Sequence, residues 1–336
     1  MSQFREDNRQ RQLKPGVESW FFRCVAPDSP TAIWVKFTTL LRADGNHVAE
    51  VWCSVFEAEN CVGAKETFAL QGATLAPNGQ KLKVGRSCAE FGNAGGSLTG
   101  EVTQGITLAW DLRFEVVQEL GQPLCMLPTR RLVDAPIPKN KLLTPAPVLR
   151  FSGTIRVGER QIEVQNWLGS QGHNWGASHA AKYAWGQAIF TDSAGEPHTY
   201  VEGASGEIKI GSWQSLQLSM LVVRRLNLGK LVEYRFDRLV DLWRQDGRID
   251  FPTWTLKMRG AQGHALLTLV AVPERMVCLG YYNPDGSLAY CLNSKTARAR
   301  LVVNPRGADG FECSSEHVGA LEFLQPSPEP RVQPVI

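Results

Sequence analysis

Ile33-Trp34-Val35-Lys36-Phe37 and Val51-Trp52-Cys53-Ser54-Val55-Phe56-Glu57 set the structural class. Each is a short run in which alternate side chains fall on opposite faces, the period of a strand rather than a helix. The pattern recurs at Leu108–Phe114, Gln217–Arg224, Val232–Trp243, His264–Val272, Val277–Tyr282 and Ala297–Val303. Between such runs lie Pro27-Asp28-Ser29-Pro30, Ala43-Asp44-Gly45-Asn46, Pro77-Asn78-Gly79, Asn283-Pro284-Asp285-Gly286 and Pro305-Arg306-Gly307. These are turn sequences, because Asn, Asp and Gly tolerate left-handed backbone and Pro presets the first turn dihedral. Val222–Tyr234 reads as two strands joined by Asn227-Leu228-Gly229-Lys230. Many short strands at this spacing predict an all-β protein of antiparallel sandwiches or barrels.

The 336 residues suit two domains or one large β assembly, and 43% hydrophobic against 21% charged residues gives enough apolar surface for a packed core. Thirty-six Lys and Arg balance 33 Asp and Glu, a net charge of +3 that argues against a dedicated nucleic-acid surface. The N-terminal MSQFREDNRQRQLK lacks the apolar core of a secretory signal. The eight cysteines form no C-x-x-C pair, so reduced, buried thiols and a cytoplasmic address are expected. No metal set is expected either, since His173 and His179 lack the spacing and Glu of a zinc helix. Gly92–Gly100 lacks a phosphate-loop pattern and reads as a mobile turn.

Six prolines between Pro123 and Pro147 exclude a central strand by the rule that proline removes ladder donors. The expected organisation is a flexible segment 1–14, a β domain 15–147 ending in a Pro-rich crossover 123–147, a second β domain 148–325 and an exposed tail 326–336.

The densest chemical signal is Asn166-Trp167-Leu168-Gly169-Ser170-Gln171-Gly172-His173-Asn174-Trp175-Gly176, followed by Trp185-Gly186-Gln187. The next strand candidate, Glu196–Gly203, places His198, Tyr200 and Glu202 on one face if extended. A carboxyl group converging with imidazoles and aromatic rings inside one barrel would make a buried acid with cation-stabilising walls. The same residues also read as a Trp-rich structural plug, and periodicity does not make the two stretches face each other.

Gly172-His173-Asn174-Trp175-Gly176, Trp185-Gly186-Gln187 and Tyr290-Cys291-Leu292-Asn293-Ser294 resemble the carotenoid 1,2-hydratase (hydroxyneurosporene synthase) family. That family is similar to lipocalin-like Diels–Alderases and, more distantly, tocopherol cyclases. The resemblance implies two lipocalin-like β domains packed together around an apolar cavity. It also implies a His-x-Trp element at His173 and Trp175 and a Tyr-x-acid element at Tyr200 and Glu202. The family's acid is Asp, and the longer Glu side chain displaces the proton donor by about 1 Å.

The expected activity is cofactor-independent acid catalysis on a hydrophobic polyene, isoprenoid or related lipid-like substrate. The catalytic set is Glu202 as proton donor, His173 as its orienter and Tyr200, which with Trp175 and Trp185 walls the cavity; Asn174, Gln187 and His198 are further substrate contacts. Burial raises a carboxyl pKa and keeps the acid neutral. The cation would then be captured by water, a hydroxyl or a second double bond, giving a hydratase or a cyclase; a pericyclic isomerisation would need no donor. The alternative is a non-catalytic carrier of the same ligands. Partners would be limited to that small molecule and a peripheral membrane contact to collect it.

Overall fold

The computed structural model describes residues 2–11, 14–136, 138–210, 214–238, 240–241, 244–332 and 334–335, with backbone alone for 208–210 and 214–216. Among the described residues the strands form two antiparallel sheets, one of twelve strands and one of ten, and α-helix is confined to Gln3–Asp7. The chain is therefore all-β, two lipocalin-like domains packed together. No helix among the described residues is long and apolar enough to cross a membrane.

The first sheet runs from its Cys61–Ala69 edge through Val48–Phe56, Ala32–Leu41, Gly16–Val25, Arg160–Gly176 and Asn140–Val157 to Ile106–Val116 and beyond. It curls until Glu66 accepts from the Thr103 amide at 3.0 Å and Gln104 accepts from the Lys65 amide at 3.1 Å. The second sheet places Tyr183–Thr191 and Pro197–Ile210 beside Phe311–Gln325 and Leu288–Pro305. The hairpin expected near Asn227 is present: Gln214–Asn227 and Lys230–Arg235 pair around Leu228 and Gly229, whose φ of 49° and 74° give the left-handed pair that a two-residue turn needs. The expected strand Val232–Trp243 ends at Arg235; residues 239 and 242–243 lie outside the described residues.

Several boundaries differ from the sequence expectation. Asn140–Val157 and Arg160–Gly176 both pair within the first sheet, so the domains join at 177–182 rather than at 147. Pro145 and Pro147 do sit in an inner strand. They are tolerated because the register slips between Leu143 and Ala146 and again between Ala146 and Leu149, where the ladder needs no donor from them. Gly92–Gly100 is not a mobile turn throughout, since Gly95–Gln104 is a strand. Within the expected flexible segment 1–14, of which residues 2–11 and 14 are described, helix Gln3–Asp7 is docked with Phe4 in the first core. The tail is likewise anchored, by buried Val332 in the second core and by the Val335 amide donating to the Cys278 carbonyl at 3.0 Å.

The two barrel interiors are occupied by side chains. Trp20, Phe22, Phe37, Phe114 and Phe151 fill the first, and Trp254, Leu256, Leu267, Leu292 and Phe236 the second. These side chains form a packed core in each barrel interior. A third cluster forms where the outer faces of the two sheets meet, joining Phe21, Trp34 and Trp52 to Trp185, Tyr281 and Ala320. Gly16–Val25 is buried at every position because Trp20, Phe22 and Cys24 enter the first core while Phe21, Arg23 and Val25 enter this seam.

Candidate functional site

Glu202 lies in the seam. In Pro197–Ile210, alternation sends Val201 into the second core, while Tyr200 packs with the seam residues Leu168, Ile189 and Val148 and Glu202 shares its face. Register then sets Glu202 opposite Gln187 and Ala204 opposite Trp185 on the neighbouring strand. The carboxyl group is fully buried. Its Oε2 accepts from Thr144 Oγ1 at 2.7 Å and from the Tyr200 hydroxyl at 2.7 Å, and its Oε1 accepts from Trp185 Nε1 at 3.0 Å. Burial pushes the Glu202 carboxyl above the usual carboxylate range, against the three hydrogen bonds and the charge of Arg224, which pull the other way. The Tyr200 hydroxyl also lies 3.4 Å from Gln187 Oε1, so it can donate there and accept a hydrogen bond from the protonated carboxyl instead of donating to it.

The structure brings Glu202, Tyr200, Trp185 and Gln187 together, and separates them from two expected partners. His173 points to the other face of Arg160–Gly176, into the first barrel. It stacks on Trp20 with ring centroids 4.7 Å apart. Its Nδ1 is 2.6 Å from the Asp7 carbonyl and its Nε2 is 2.8 Å from Glu18 Oε1. Both ring nitrogens are thus engaged away from Glu202, whose carboxyl is bonded by Thr144 and not by His173 as expected. Trp175 follows the same parity as His173: it packs with Leu143, Leu127 and Val133 beneath Arg11, so it is not a wall of the Glu202 site. His198 is half-buried at the start of its strand and its Nδ1 is bonded to Thr199 Oγ1 at 2.7 Å. Asn174 is half-buried, with Oδ1 lacking a protein partner.

Sequence reading missed the rest of the seam. Ser170, Arg23, Trp34 and Ser54 stand opposite one another across four adjacent strands. All are 0–1% exposed, and Ser170 Oγ, Arg23 Nε and Nη2, Trp34 Nε1 and Ser54 Oγ have no protein partner. Arg23 spends a single donor, Nη1, on the Val318 carbonyl at 3.1 Å. Beside this row, Lys36 Nζ lies 3.8 Å from the Tyr281 ring centroid and 5.8 Å from that of Trp34. Lys295 Nζ lies 5.4 Å from the Trp34 ring and bonds Glu322 Oε1 at 2.6 Å. From the second sheet, Gln187 Nε2 and Asn293 Oδ1 are also buried without partners. The available signal was a charge within an apolar run, Arg23 in Trp20-Phe21-Phe22-Arg23-Cys24-Val25 and Lys36 between Val35 and Phe37. In a strand buried on both faces such a charge is costly unless it is paired, so it marks a place to look for partners.

Two surface depressions are separate from the seam. One of about 290 Å³ is lined by Pro30, Val272, Arg275 and His317, and one of about 530 Å³ by Arg5, Glu90, Phe91 and Arg113. Neither is lined by a seam residue.

No family model matches the chain. Two uncharacterized proteins of Mycobacterium tuberculosis, one from each of two strains, are 26% identical to it over 306 residues, covering 86% of this chain and 82% of theirs. A crystal structure from Nitrosomonas europaea carrying the provisional name AttH superposes with a TM-score of 0.54 over 93% of both chains at 11% identity, a likeness of fold.

Proposed function

We propose that the protein is a cytoplasmic, cofactor-independent enzyme that protonates a carbon–carbon double bond of a polyene, isoprenoid or related lipid-like substrate held in the seam between its two sheets. The observation that carries this reading is Glu202: a fully buried carboxyl group, raised in pKa by its burial and held by Thr144, Tyr200 and Trp185.

Protonating an unactivated alkene requires a neutral acid and a dry site, and desolvation supplies both. Glu202 gives its proton to one alkene carbon and becomes a carboxylate, which the donors from Thr144, Tyr200 and Trp185 then stabilise. The three groups that compete with the protonated form thus pay back once the proton has gone. The cation left on the other carbon lies beside the Trp185 and Tyr200 rings, where cation–π attraction contributes roughly 0.5–2 kcal/mol. Water, a substrate hydroxyl or a second double bond adds to the cation, and loss of a proton to the Glu202 carboxylate restores the acid. The apolar residues around Tyr200, among them Leu168, Ile189 and Val222, suit the hydrocarbon part of the substrate.

Glu202→Gln keeps the shape and removes the transferable proton. Turnover of a panel of polyenes and isoprenoids, followed by mass spectrometry, should fall by at least about 100-fold with ligand affinity retained. Undiminished turnover would remove Glu202 from the chemistry. Saturable binding with no product from the native protein would instead establish the carrier reading.

A further inference from the structure

Four neighbouring buried side chains with unpaired polar atoms form a row that the acid chemistry at Glu202 does not use. Most buried polar groups are satisfied, so a contiguous row without protein partners calls for an occupant. We propose that Ser170, Arg23, Trp34 and Ser54 form the subsite for the carboxylate group of an amphiphilic, unsaturated acid, the substrate class of the Glu202 site.

The chemistry of the row selects an anion. The Arg23 Nε and Nη2 donors lie on one edge of a planar fork that matches the two oxygens of a carboxylate. Trp34 Nε1 is a donor only, and the Ser54 and Ser170 hydroxyls rotate to donate. Charge leads to the same answer. Arg23, Lys36 and Lys295 are all at most 5% exposed; Glu322 pairs with Lys295, Glu322 and Glu50 attract Lys36, and among the described residues no carboxylate is bonded to Arg23. Water satisfies hydrogen bonds but leaves the excess positive charge buried; a carboxylate satisfies both. A monoanion with two oxygens suits one guanidinium edge better than a bulkier phosphate.

Position ties the row to the reaction. Arg23 and Trp34 belong to the first sheet and Glu202 to the second, and Lys295 Nζ lies between them, 5.4 Å from the Trp34 ring and 5.5 Å from the ring of Trp185, whose Nε1 donates to Glu202. A ligand with its carboxylate on Arg23 therefore lays its unsaturated chain toward Trp185, Tyr200 and Glu202. An anion on Arg23 also offsets that guanidinium's pull on the Glu202 proton, so substrate binding favours the protonated acid.

This inference rests on the seam being the ligand site, and the test separates it from the catalytic reading. Isothermal titration compares farnesoic acid with farnesol, matched in chain and differing in charge. The native protein should bind the acid at least about tenfold more tightly, the scale of one charge-assisted pair. Arg23→Gln should bring the ratio near one with farnesol affinity unchanged, and Ser54→Ala, a smaller change that serves if Arg23→Gln does not fold, should narrow it. Glu202→Gln should keep the preference while losing turnover. Equal binding of acid and alcohol, no binding of the acid, tighter binding of farnesyl phosphate, or a preference that survives Arg23→Gln or Ser54→Ala in a folded protein would each overturn the carboxylate subsite. Preference without turnover of any substrate would overturn only the catalysis.

Discussion

Arg23→Met should make the ligand-free protein more stable. Burial lowers the Arg23 pKa to about 10, from an ordinary value above 12. That is about two and a half tenfold steps at about 1.4 kcal/mol each, so holding the charge in the seam costs about 3 kcal/mol at neutral pH. The sign follows from proton counting: between about pH 10 and the ordinary arginine value the unfolded chain binds more protons, so stability rises there as the penalty is relieved. Methionine has similar reach and no charge. The variant gives up the Nη1 bond to the Val318 carbonyl, about 1 kcal/mol, leaving a net gain of about 2 kcal/mol. Urea unfolding at pH 7, followed by far-ultraviolet circular dichroism, should show a higher midpoint at unchanged slope. A loss of about 1 kcal/mol or more would show that the Arg23 charge is already compensated within the protein, and the reasoning for an anionic occupant would fail with it.

His173→Ala should lower stability by about 2 kcal/mol or more by stripping partners from buried Glu18 and the Asp7 carbonyl, yet leave turnover per folded molecule within about twofold; a catalytic defect in the folded variant would restore His173 to the site. Lys36, brought down to about 8 by burial against the attraction of Glu322, Cys291 and Glu50, loses its proton as pH rises through that value. Farnesoic acid affinity measured by titration should then fall several-fold between pH 7 and 9.5 while farnesol affinity stays level, and parallel profiles would exclude Lys36 from the anion's field. Gly169→Ala would drive a methyl into the Arg23 carbonyl oxygen of the adjacent strand, a backbone contact that cannot yield, and should cost about 2 kcal/mol or more in thermal unfolding; a neutral substitution would mean that the pairing of Gly16–Val25 with Arg160–Gly176 is looser than the register indicates.

Part of the candidate site was legible from alternation alone. Tyr200 and Glu202 share a face because residues two apart in a strand do, and Trp185 and Gln187 reach them because the adjacent strand pairs in register. His173 and Trp175 illustrate the limit. Alternation puts them together but does not say which face of Arg160–Gly176 meets the second sheet, and they belong to the face that closes the first barrel. Thr144, 58 residues from Glu202 in sequence, carries no local sign of its contact with that carboxyl. Pro145 and Pro147, just after it, masked an inner strand because bulges, a tertiary accommodation, released the ladder from the donors they lack.

Period-two alternation and turn chemistry are local properties of the chain, so the sequence by itself determined an all-β protein and the pairing of neighbouring strands. Which of two buried faces looks into a barrel and which into the seam depends on how two sheets curl and dock, a choice made by the packing of residues hundreds of positions apart. That choice sent His173 to Glu18, left Glu202 with Thr144, Tyr200 and Trp185, and lined up Ser170, Arg23, Trp34 and Ser54 across four strands. Only the tertiary structure, by removing these groups from water together, turns scattered polar residues into a site.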